Sequence, residues 1–81
     1  MKNLAIYDNG GKTFDRITII FLNEKRKDRE GKFLYNAIAS SETGAGFFQH
    51  TEAMRGKHLG KKITFNKLTP ELQARIKNYL Q

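Results

Sequence analysis

The stretch Asp8-Asn9-Gly10-Gly11-Lys12-Thr13 contains the Gly-Lys-Thr triplet of a phosphate-binding loop. The complete loop also needs a glycine five residues before the Gly of that triplet and a helix after it. Here the first position is Ile6 and a strand pattern follows, so the nucleotide-loop reading fails. Asn-Gly instead marks a tight hairpin turn, because both residues tolerate positive φ. The chemistry left to this stretch is a turn whose backbone N–H groups, with Lys12, hold an anion. Just beyond it, Asp15 shares strand parity with Ile17, Ile19 and Phe21, which turns a carboxylate toward the core side. An isolated charge there is costly, so Asp15 needs a cationic partner, backbone donors or a polar pocket. A pocket would combine Asp8, Asn9, Lys12, Asp15 and Arg16 with Gln49 and His50. His50 could then serve as a general base, but the sequence marks no nucleophile or second catalytic group beside it, and a lone surface histidine is the favoured reading.

Two basic stretches suggest different chemistry. Lys25-Arg26-Lys27-Asp28-Arg29-Glu30 carries acids that neutralise part of its charge, and reads as a solvated loop. The stretch from Arg55 to Lys67 holds Arg55, Lys57, Lys61, Lys62 and Lys67 with no acid among them, and its glycines allow close backbone approach. It is the stronger candidate for contacting phosphates or carboxylates, with Lys25, Arg26, Lys27 and Arg29 as the second choice.

The whole composition agrees in sign. Fifteen Lys and Arg against eight Asp and Glu give +7 on 81 residues, which favours nucleic acid, acidic protein surfaces or anionic lipid as partners. There is no cysteine, which excludes disulfides, thiolate catalysis and cysteine zinc sites. His50 and His58 lack the spacing of a helical metal pair, so neither a metal nor a cofactor is called for. The longest apolar run, Ile19-Ile20-Phe21-Leu22, is strand length and far short of a bilayer span. The first eight residues have no long apolar stretch and do not read as a signal peptide, which predicts a cytoplasmic protein.

The elements that must position these residues form one α+β domain over 1–81. Residues 2–7 and 12–22 read as strands joined by the Asn-Gly turn, 23–32 as a polar loop, 33–39 as a third strand and 61–65 as a fourth. From Ser40 to Gly60 periodicity is lost; Ser40 to Gly46 is turn-rich, Phe47-Phe48 reads as an apolar anchor, and 51–55 reads as one helical turn. Thr69-Pro70-Glu71 is a strong helix start, with Thr69 as N-cap and Pro70 at the first helical position. Leu72, Ile76, Tyr79 and Leu80 then form an apolar stripe. The expectation is an antiparallel sheet of three to four strands with a C-terminal helix packed on one face. Ile17, Ile19, Phe21, Leu72 and Ile76 should share the core. Ile20 and Leu22, joined by Phe14 on the other face, should be uncovered and could mediate a homodimer or a partner contact.

Three short motifs in order, Asp8-Asn9-Gly10-Gly11-Lys12-Thr13 with Asp15-Arg16, Gly46-Phe47 with Gln49-His50, and Gly56-Lys57-His58-Leu59-Gly60-Lys61-Lys62-Ile63, resemble a group of small uncharacterised proteins encoded by tailed bacteriophages. The resemblance spans nearly the whole chain. It departs in the middle, where related chains carry an Asn-Pro-rich turn and this one has Ser-Glu-Thr-Gly-Ala-Gly. It implies a phage accessory protein acting in the host cytoplasm and implies no chemistry. Charge and motif together predict a non-enzymatic binding module for an anionic partner, nucleic acid or an acidic host surface such as that of a host or defence factor. The alternative is a small nucleotide-binding protein or enzyme built on the Asp15, Arg16, Gln49 and His50 pocket.

Overall fold

The computed structural model describes residues 3–13, 15–41 and 48–81. They form five strands, β1 (Leu4–Asp8), β2 (Ile17–Lys27), β3 (Phe33–Ser40), β4 (Phe48–Ala53) and β5 (Lys61–Ile63), followed by the helix α1 (Pro70–Leu80). The strands make one sheet in the order β4-β3-β2-β1-β5, with every neighbouring pair antiparallel. The α+β class and the C-terminal helix are as the sequence predicts, but the sheet has five strands rather than three to four.

The additional strand is β4, which replaces the helical turn expected at 51–55. Gln49, His50, Thr51 and Glu52 are all polar, so no alternation of apolar and polar residues announces a strand. Main-chain pairing with β3 forms it, in the register Tyr35↔Ala53 to Ser40↔Phe48. β2 also differs from expectation, beginning at Ile17 rather than Lys12 and continuing through the polar residues to Lys27. The hairpin tip is therefore only 28–32, where Asp28 Oδ1 accepts from the backbone N–H groups of Glu30 and Lys32, each at 2.9 Å. The turn-rich 42–46 segment, Phe47 and Phe14 lie outside the described residues.

The helix start follows the local signals. Thr69 Oγ1 accepts from Leu72 N–H at 3.3 Å and Pro70 occupies the first turn. The apolar stripe of α1 then docks on one sheet face, where Ile6, Ile17, Ile19, Phe21 and Ile38 meet Leu68, Leu72 and Ile76. Tyr79 closes the end of this core. Its ring stacks on Phe21 at 4.3 Å and its hydroxyl donates to Glu24 at 2.7 Å. Leu80 does not join the stripe and remains 44% exposed, because Tyr79 takes the last contact with the sheet.

The face opposite the helix has its own apolar cluster of Ala5, Tyr7, Ile20 and Ala37. The expectation that Ile20 lies uncovered is wrong: it is completely buried. Ala53 and Leu59, flanking the segment between β4 and β5, pack against this cluster, and Leu22 is half-buried. Ile20 is therefore not part of any exposed apolar patch.

A slip in the pairing of β2 with β3 decides which side chains share this face. Ile20 is opposite Ala37, yet Lys25 is opposite Tyr35, so five steps along β2 match two along β3. The odd excess reverses the alternation. Beyond the slip, Glu24 and Arg26 point to the helix side, while Lys25 and Lys27 join Tyr35 and Phe33 on the other.

Candidate functional site

The helix-free face carries an open groove of about 630 Å³ lined by Tyr7, Phe33, Tyr35, Met54, Arg55, Gly56, Lys57, Gly60 and Lys62. β1, β3 and β5 contribute through their alternation, and the rest comes from the segment between β4 and β5. Lys62 of β5 stands opposite Tyr7 of β1, and Phe33 and Tyr35 project from the start of β3. At one end Lys25 and Lys27 place their ammonium groups 4.6 and 5.5 Å from the centre of the Phe33 ring, within cation–π range. At the wall, Arg55 Nε donates to the Tyr7 hydroxyl at 3.3 Å, tying the segment after β4 to β1. No described carboxylate lines the groove. Four of the acids are engaged elsewhere: Asp8 with Arg16, Glu24 with Asn36 and Tyr79, Glu52 with Arg26, and Asp28 with the hairpin backbone.

The two basic stretches of the sequence thus contribute to one surface, but neither does so whole. Lys25 and Lys27 reach the groove, whereas Arg26 turns to the other side and forms a bidentate pair with Glu52, both contacts at 2.7 Å. Arg29 sits in the exposed tip of the β2–β3 hairpin. Of the later stretch, Arg55, Lys57 and Lys62 line the groove, while Lys61 and Lys67 line a separate cleft of about 720 Å³ with Asp8, Arg16 and Ile63. A continuous strip through Lys61, Lys62 and Lys67 does not form, because consecutive residues of β5 face opposite sides of the sheet.

The Asp8–Thr13 turn is closed on itself. Asp8 Oδ1 accepts from Gly10 N–H at 2.8 Å, and Asn9 Oδ1 accepts from the N–H groups of Gly11 and Lys12 at 2.8 and 3.1 Å. Asn9 Nδ2 donates to Thr13 Oγ1 and to the Asp15 carbonyl. These backbone donors are consumed within the turn, so the expected anion nest is replaced by an asparagine-centred one. Lys12 projects from it as an exposed side chain.

Arg16 finds its partner in Asp8, at 2.6 and 3.2 Å, and Asp15 contributes its carbonyl to the turn. The proposed pocket mates lie elsewhere. β4 is separated from β1 by β3 and β2, a distance of roughly 14 Å across three strand spacings. His50 stacks on Tyr79 on the helix side, and alternation sends Gln49 to the opposite face. Asp8, Asn9, Asp15 and Arg16 are brought together; Gln49 and His50 join neither them nor each other.

The Asp8 carboxyl is held below the ordinary carboxylate range, first by the hydrogen bond from Arg16, against the opposing effect of burial and with help from Gly10 N–H. A carboxyl depressed in the folded state adds stability above its unfolded pKa of about 3.9, and that stability is lost as pH falls through the folded value. Asp8→Asn is therefore expected to be less stable than the parent near neutrality, with the difference shrinking as the pH drops below about 4. Urea unfolding at neutral and acid pH checks this; a difference that persists unchanged in acid would assign the loss to packing rather than charge.

All five cations at the groove, Lys25, Lys27, Arg55, Lys57 and Lys62, are legible as candidates in the sequence, but their setting is not. Tyr7, Phe33, Tyr35 and Met54 complete the groove, and the shared parity of Phe33 and Tyr35 was the available signal. Among the described residues no helix is long and apolar enough to cross a membrane, and no group of three His, Cys, Asp or Glu side chains could hold a metal ion. No protein-family model, curated protein or solved structure matches the chain.

Proposed function

We propose that this protein is a non-enzymatic binding module that takes an anionic macromolecule on its helix-free face, in the phage-infected host cell that the sequence resemblance implies. The observation that carries the reading is the separation of charge: Lys25, Lys27, Arg55, Lys57 and Lys62 gather around one aromatic groove, and no described carboxylate lines it. Clustered cations beside low-dielectric walls raise the local potential and attract a polyanion. A catalytic reading has less support, since Arg16 is engaged by Asp8 and His50 stacks on Tyr79.

The test is a salt series on nucleic acid and heparin with paired variants. Each phosphate contact contributes roughly 0.7 to 0.9 to the slope of log affinity against log salt. Replacing Lys57 and Lys62 together by alanine should flatten that slope by roughly 1.5, and replacing Lys61 and Lys67 should leave it nearly unchanged. Stability should move by less than about 0.5 kcal/mol in either pair, because these are exposed side chains. Flattening by the Lys61 and Lys67 pair instead would transfer the site to the cleft beside Asp8. Absence of binding to any polyanion at low salt would end the proposal.

A further inference from the structure

We infer that the occupant of the groove is single-stranded nucleic acid, with a base stacked on Phe33 and the adjoining phosphates met by the surrounding cations; this deepens the anion-binding reading and rests on it. Charge alone would serve an acidic protein surface, but this surface presents more than charge. Phe33 is 43% exposed and Met54 38% exposed, large apolar side chains kept at the surface amid lysines. Carboxylates on an acidic protein have no flat apolar face to offer such a ring. A nucleobase does, and stacking on an aromatic side chain beside a basic track is the means by which single strands are held without sequence readout.

The geometry also favours a single strand over a duplex. In a duplex the base faces are already stacked on one another, and a ring set into a sheet cannot reach them. Reading a duplex through the major groove calls for a protruding helix or strand pair. The α-helix of the described residues packs on the other sheet face, with Leu72 and Ile76 buried against it, and the β2–β3 strand pair presents Lys25, Lys27 and Phe33 from its broad face rather than from its 28–32 tip. On the groove face Lys25 and Lys27 hold their ammonium groups over the Phe33 ring, 4.6 and 5.5 Å from its centre; a base that takes their place on the ring leaves these two exposed, flexible side chains beside it, within reach of its phosphates.

The experiment uses the full chain and three probes: labelled oligothymidylate of about 15 nucleotides, near the upper end of single-strand site sizes, a duplex of the same length, and heparin. The single strand is expected to bind more tightly than the duplex. Phe33→Ala should weaken the single strand roughly tenfold or more while leaving heparin within about twofold, since the lysines remain. Phe33→Trp should keep the affinity. Because the chain has no tryptophan, that variant also carries one emission band that a stacked base would quench. This second readout decides the matter even if Phe33→Ala fails to fold. Single strand, duplex and heparin bound alike, with no quenching and no loss in Phe33→Ala, would overturn the stacking inference and leave the anion-binding reading intact. Failure of all three probes to bind at low salt would overturn both.

Discussion

Gly60→Ala is expected to be among the most damaging single-methyl changes in this protein, costing more than about 3 kcal/mol from positive-φ strain combined with a steric clash. Gly60 has φ 96°, where side chains are rarely tolerated, and it lies directly against the Asp8–Asn9 backbone. An alanine methyl would collide with the Asp8 carbonyl and Asn9 Cα, and stand 2.7 Å from the Asp8 carbonyl carbon. Backbone cannot swing aside as a lysine would, so β1 and the start of β5 must separate. Gly31 provides the control. Its φ is 81°, but a methyl there meets nothing within 4 Å, so Gly31→Ala should cost only about 1–2 kcal/mol for the left-handed conformation. Denaturant midpoints compare the two variants; equal losses would show that the close approach at Gly60 carries no energetic weight. The contact also explains how the Asp8–Thr13 turn and the Gly56–Lys62 stretch, distant in sequence, act as one structural unit.

Ile19→Asp is expected to abolish cooperative folding. Ile19 is fully buried, opposite Ile6 on β1 and Ile38 on β3, in the layer beneath α1. The substitution removes an apolar group and places a charge where the neighbouring side chains are all apolar. Such changes belong to the tail above about 4 kcal/mol, against a total stability of only about 5–15 kcal/mol for a typical domain. Ile19→Val should cost only about 0.5–1.5 kcal/mol, because the site then loses a methylene and gains no charge. Thermal melts followed by circular dichroism separate the two. An aspartate variant that melts within a degree or two of the parent would remove Ile19 from the core.

How much of this was legible depends on how local the governing interactions are. The start of α1 could be read because Thr69 caps an N–H three residues away and Pro70 presets its own φ. The helix-side core could be read because Ile17, Ile19 and Phe21 alternate with period two and Leu72 and Ile76 fall one helical turn apart. β4 could not, since its polar residues give no period and its register is set by β3. Strand parity points to Asp15 as the acid needing a partner, yet Arg16 pairs with Asp8, its neighbour across the β1–β2 hairpin. That pairing depends on a connection running from Asn9 to Arg16, longer than a strand beginning at Lys12 would leave.

By itself, then, the sequence determined the sign of the charge, the α+β class, the apolar sides of β2 and α1, and the start of the helix. Composition and short-range periodicity are enough for each of these. Only the tertiary structure decided where the charge is concentrated. Continuing the alternation from Ile17 would put Lys25 and Lys27 on the helix side; the odd slip after Ile20 carries them to the Phe33 side instead. Adjacent Lys61 and Lys62 form one cluster on paper, yet the pleat of β5 sends them to different faces. Arg55 reaches Tyr7 across 48 residues of chain because the segment after β4 crosses the helix-free face. Strand register and sheet order are settled by pairing between distant segments, and it is that pairing which turns two scattered basic stretches into one groove.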